Sequence, residues 1–173
     1  MMRNTKYKRA FTLVEALVAL SILMIGVISG FILVTKALYD VSIIQDRLTA
    51  SFLAQEGVEL VRQIRDSNYV QNIQSTSIAW DKNLSDGDYL ITTINNPPSG
   101  IKLLPYEDKV LRWDSSSGLY NYTSGDTTNF KRKINIQHIN SDEIKVTVTI
   151  DWVTKGMNFQ LVVEDFLYNW LKL

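Results

Sequence analysis

Apolar residues run almost without interruption from Ala10 to Thr35, and Glu15 is the one ionisable side chain among them. About 20 apolar residues suffice to cross a bilayer core, so this stretch predicts a membrane-spanning helix. Beyond it the pattern becomes periodic. Val41, Ile44, Leu48, Leu53, Leu60, Val61 and Ile64 continue an apolar stripe, while Arg47, Glu56, Glu59, Arg62 and Arg65 take the other side. Proline is absent between Phe11 and Asp66. One helix is therefore predicted across both stretches, on the order of 80 Å long at 1.5 Å per residue. Residues 11–35 form its apolar half and residues 36–66 its amphipathic half.

Residues 67–173 read differently. "NNPPSG", "DSSSG" and "TSGDTTN" are turn-rich, with short strands expected at Tyr89–Asn95 and Lys109–Trp113. After Phe130 strict alternation takes over. In "EIKVTVTIDWV", Ile144, Val146, Val148, Ile150 and Trp152 share one face, and Lys145, Thr147, Thr149 and Asp151 share the other. "TKG" turns the chain, and Phe159, Leu161 and Val163 alternate with Asn158, Gln160 and Val162. Ile134 and Ile136 supply a preceding strand. Such a meander has one dry face that needs cover, and the amphipathic half of the helix is the obvious cover. The fold class predicted is α+β, a long N-terminal helix packed on a C-terminal antiparallel sheet. Leu60, Ile64, Val148 and Ile150 are expected to share its core.

Charge sharpens the picture. The chain has 173 residues with eighteen basic and eighteen acidic side chains. Arg3, Lys6, Lys8 and Arg9 crowd the first ten residues without an acid, so the remainder is acidic and the first ten look like a separate object. An acidic body argues against nucleic-acid binding, which needs a positive footprint. The basic cluster before the apolar run, with only Lys36 just after it, places the N-terminus in the cytoplasm. A cleaved signal peptide would have a shorter apolar region ending in a small-x-small site, and "VTKALYD" offers none. The apolar segment is expected to remain in the mature protein. Cysteine is absent, which excludes disulfides, thiolate metal sites and a cysteine nucleophile.

A carboxylate inside such a run needs a reason. At mid-membrane it costs about 2.5 to 3.5 kcal/mol, although near the edge snorkelling lowers that figure. Glu15 is either a tolerated interfacial glutamate or one that meets a cation within the membrane. The segment "KRAFTLVEALVAL" resembles the cleavage and methylation segment of type IV prepilins and of the pseudopilins of type II secretion. The resemblance implies that a prepilin peptidase cuts the 1–10 leader between Ala10 and Phe11, and that Phe11 becomes the N-methylated terminus. It also makes Glu15 the fifth residue of the mature chain. The family has glycine before the cut where this chain has Ala10, the next smallest residue, and cleavage is expected there as well. The new terminal amine stays cationic when methylated. In a low-dielectric setting that amine and a neighbour's Glu15 are each costly alone and much less so together. Glu15 is thus implied to be a subunit-assembly contact. "SFLAQEGVELVRQIRDSNY" and "VTVTIDWVTKG…LVVEDFLYNW" are similar to parts of minor pilin-like proteins, while the middle of the chain is not.

Gly26 and Gly30 form a G-x-x-x-G pair within the span, read either as close helix packing or as local flexibility in a helix that lacks a breaking proline. His138 falls on a predicted strand as an ordinary sheet residue. "DKNLSDGDY" partly matches a calcium loop through Asp81, Asn83, Ser85, Asp86 and Asp88, but Gly87 is one place late and Thr92 stands where the bidentate acid belongs. A polar turn accounts for it better, so no metal or other cofactor is expected. Lys131, Arg132 and Lys133 read as a solvated strand edge. A nucleophile elbow, P-loop or paired-histidine motif is not present, and an enzyme is not expected.

The expected function is that of a minor type IV pilin-like structural subunit, held in the inner membrane and then built into a filament at the cell surface. Its implied partners are the prepilin peptidase, other pilins, a platform protein, an assembly ATPase and, before assembly, membrane lipid. The alternatives are a type II secretion pseudopilin and a single-pass anchored extracellular binding or adhesion domain.

Overall fold

A computed structural model describes residues 12–74, 78–93 and 100–171. Among these the chain forms one helix, α1 (Leu13–Gln74), then β1 (Gly87–Thr93), β2 (Ile101–Pro105), β3 (Val110–Asp114), β4 (Leu119–Asn121), β5 (Asp126–Asn140), β6 (Glu143–Thr154) and β7 (Met157–Tyr168). The architecture is α+β, a long N-terminal helix and a C-terminal antiparallel sheet. Two compact units divide the chain at Met1–Ile43 and Ile44–Leu173, with the boundary inside α1.

The first unit is helical throughout its described residues from Leu13. Its side chains from Leu13 to Leu38 are exposed within the chain, and the stretch is long and apolar enough to cross a membrane. Two of its hydroxyls bond to the helix's own backbone. Ser21 Oγ donates to the Leu17 carbonyl at 2.8 Å, and Thr35 Oγ1 lies within 3.0 Å of the Phe31 and Ile32 carbonyls. A polar group satisfied by its own helix can enter hydrocarbon at lower cost.

The second unit is organised by β5. Its early residues pair with β3, which pairs with β4; its later residues pair with β1, which pairs with β2; its other edge takes β6 and then β7. Lys155 and Gly156 both take positive φ (51° and 79°), joining β6 to β7 by the two-residue turn that the right-handed twist of a hairpin favours. The alternation reads out as expected. Ile144, Val146, Val148, Ile150 and Trp152 are buried, whereas Val162 points away from the core and is half exposed.

Within this unit the helix covers the dry face. Ala50, Leu53, Ala54, Val58, Leu60 and Val61 are buried against Ile134, Ile136, Val148 and Ile150, and Ile64 packs on the cluster partly buried. A Cβ on Gly57 would lie 3.0 Å from Ile134 Cδ1 and 3.0 Å from Val148 Cγ1, so the absence of a side chain lets helix and sheet approach. Two features of the sequence reading change. Ile44 and Leu48 are exposed rather than core residues, because Leu53 lies five positions beyond Leu48, a step that turns the helix by about 140°. The helix also passes Asp66 and continues to Gln74. Asn68 Nδ2 donates to the carbonyls of Trp80 (3.0 Å) and Lys82 (2.8 Å), and Tyr69 Oη donates to that of Tyr168 (3.2 Å). These bonds offset the weak helix preference of Ser67, Asn68 and Tyr69.

Candidate functional site

Glu15 lies in the first turn of α1 and is exposed. Thr12 Oγ1 accepts a hydrogen bond from the Glu15 backbone N–H at 3.3 Å, and the Thr12 carbonyl accepts from Ala16 N at 3.1 Å. Thr12 is therefore the N-cap and Glu15 the third helical residue, the two ends of a T-x-x-E capping pair. This local role was legible in "TLVE" and is missing from the sequence reading. A carboxylate there also faces the positive end of the helix dipole. Glu15 thus has a reason to be acidic inside its own chain, and its outward exposure leaves the carboxylate accessible. Ala10 and Phe11 lie outside the described residues.

Gly26 and Gly30 sit mid-helix with nothing within 4 Å of where a Cβ would be. Packing among the described residues therefore does not require them, although each weakens a helix by about 1 kcal/mol relative to alanine.

The head carries two polar constellations that the sequence reading placed differently. The first concerns Arg132, which is not part of a solvated edge: its side chain is 1% exposed. Parity on β5 explains the burial, since Phe130, Arg132, Ile134 and Ile136 alternate onto the helix-facing side. Its Nη1 donates to Glu56 Oε2 at 2.8 Å and to the Leu53 carbonyl at 3.2 Å, and Nη2 donates to the Ile91 carbonyl at 3.2 Å. The guanidinium thereby ties α1, β1 and β5 together. Lys131 and Lys133 do face water, near Asp108 and Asp88.

The second is the loop "DKNLSDGDY" and His138. His138 Nδ1 is 2.6 Å from Asp86 Oδ1, its Nε2 is 3.3 Å from Asp81 Oδ2, and its backbone N–H donates to Asp86 Oδ1 at 2.7 Å. Asp88 instead accepts from Asn135 at 2.7 Å. The hydrogen bond to Asp86, with Asp81 adding to it against partial burial, raises the His138 pKa above 6.5. The same contact, from ring and backbone, lowers Asp86 below 3.8. The two carboxylates address opposite ring nitrogens and so do not converge on one ion. Among the described residues, three or more His, Asp or Glu side chains nowhere gather in a way that suits a metal. The loop is pinned to β5 by hydrogen bonds, with Trp80 and Leu84 buried in the core.

The N-terminal segment is the part that comparison with known proteins recognises. The family model described as the prokaryotic N-terminal methylation motif matches residues 5–31. This is a type IV pilin-like prepilin segment. No curated protein and no solved structure matches the chain. The prepilin segment takes in Glu15, Gly26 and Gly30 and most of the apolar stretch of α1, and it supports a pilin- or pseudopilin-type precursor.

Proposed function

We propose that this chain is a minor type IV pilin-like structural subunit, stored in the inner membrane with its N-terminus in the cytoplasm and built into an extracytoplasmic filament. One observation carries the reading: the methylation motif over residues 5–31 coincides with the start of a helix whose apolar side chains from Leu13 to Leu38 are exposed among the described residues. Such a helix needs lipid, or other copies of itself, around it. Prepilin peptidase removes residues 1–10 at the Ala10–Phe11 bond, and Phe11 is methylated on its new amine. A platform protein and an assembly ATPase then drive the subunit out of the bilayer into contact with other pilins. Gly26 and Gly30, whose Cβ positions meet nothing among the described residues, serve that contact by close packing or by local bending. Glu15, placed in the first turn of its own helix, pairs with the Phe11 amine of the neighbouring subunit.

Mass spectrometry of membrane-extracted protein tests processing, with a methylated Phe11 terminus expected; a retained Met1 or Met2 in cells with active peptidase overturns it. For assembly, Glu15→Val is compared with wild type as the ratio of protein in sheared filaments to protein in membranes. The change removes a charge that burdens insertion, so insertion and cleavage should persist while the ratio falls. Equal ratios would remove Glu15 from assembly.

A further inference from the structure

The two ends of the sheet are unlike. Among the described residues β6 is the one strand that pairs with β7, in a register that runs from Glu143↔Tyr168 to Thr154↔Met157 without a shift. It lacks the proline, lysine or bulge that blunts many strand edges, and an open edge offers its backbone N–H and C=O groups to a further strand. At the other end β2 is bonded to β1 alone and is five residues long, with Lys102 inside it and Pro105 closing it.

The outward faces of these edges match each other. Ile134 faces the helix, and the register Tyr89↔Ile134 with Ile91↔Leu103 puts Leu103 on that same side. Lys102 and Leu104 therefore lie on the far face, where β7 places Val162, Glu164 and Phe166, and all five are exposed. Passing from β2 through β1, β5 and β6 to β7 crosses only antiparallel pairings, so β2 and β7 run in the same direction.

We propose that the β7 edge of one copy receives the β2 edge of the next as a parallel strand, with Lys102 against Glu164 and Leu104 against Phe166. Charge selects this arrangement over β7 on β7. Self-pairing would bring the Glu164–Asp165 acids of two copies close together, and like charges across strands are unfavourable. The β2 edge supplies a lysine instead, and Glu164, already 2.6 Å from Lys145, would then sit between two ammonium groups. Because the contact uses different surfaces on the two copies, it repeats into an open row rather than closing as a two-fold pair. The inference rests on the reading that α1 brings copies together. Pro105 keeps the contact short, so the heads join only when the helices hold them side by side.

The chain has no cysteine, so a pair of introduced cysteines reports the contact directly. The full-length Leu104→Cys/Phe166→Cys variant, oxidised in sheared filaments, is expected to give a ladder of covalent multimers, and neither single variant should. Filaments that contain the double variant without a ladder would overturn the contact. A charge series decides independently. Lys102→Glu and Glu164→Lys should each lower the filament-to-membrane ratio about two- to fivefold, the span of a cross-strand charge pair, and the two together should restore it. Equal ratios throughout, or no recovery in the double variant, also overturn it. If wild-type chain is missing from filaments altogether, it is the assembly reading that fails.

Discussion

Arg132 and Glu56 meet at 2.8 Å across the interface of helix and sheet, with the arginine side chain 1% exposed and the glutamate 34% exposed. The pair is asymmetric: one charge has left water and its partner has not. Glu56→Ala would strand a buried guanidinium, a change that typically costs about 2–5 kcal/mol, with the lower end expected because Glu56 stays near solvent. Urea unfolding of a soluble fragment beginning at Lys36 checks this, and Glu56→Gln, which keeps an acceptor, should recover part of the loss.

Leu60 is 6% exposed and shares one cluster with Val148 and Ile150. Leu60→Ala should destabilise the same fragment by about 2–5 kcal/mol and lower its melting temperature clearly. An unchanged melting curve would mean that the helix is not what covers the sheet in solution.

Gly57 makes the opposite test. Any side chain there meets Ile134 and Val148 at once. Overpacking costs about 1–3 kcal/mol, so Gly57→Leu should destabilise despite leucine's better helix preference. Calorimetry of the fragment reads the sign directly.

The His138 contacts predict a stability optimum in pH. The raised His138 pKa contributes stability that is complete below about 6.5 and is lost as pH climbs through the folded value. Asp86, lowered from 3.8, contributes stability present above that value and lost as pH falls through its folded pKa. Melting temperature measured across pH should therefore peak in the mildly acidic range between the two. His138→Gln should flatten the alkaline side of that peak, and an identical profile in the variant would exclude the pair as its source.

Much of this was readable from residue order, and the exceptions have physical causes. Alternation in β6 named its buried face residue by residue, because an antiparallel sheet covered on one side leaves that signature. The same alternation on β5 pointed Arg132 inward, yet its place between Lys131 and Lys133 made charge the louder signal. Asn68 and Tyr69 joined α1 through bonds to Trp80 and Tyr168, and such distant partners leave no local trace. β2 and β4 are too short for periodicity to register within a turn-rich region. At the N-terminus, charge, length and a few residue types coincided within one stretch, so Glu15 stood out at once, while the Thr12 cap on its backbone N–H lay hidden beneath the rarer oddity of an acid in an apolar run.

The bond from Arg132 to the Leu53 carbonyl joins residues 79 positions apart. Synthesis at about 5–20 residues per second means that the sheet-facing side of α1 leaves the ribosome on the order of ten seconds before its cover exists. Arg62 waits longer, for Asp165, 103 positions on. During that interval Leu53, Val58 and Val61 stand uncovered on the nascent chain, and the membrane insertion proposed above for α1 would keep such chains apart while they wait.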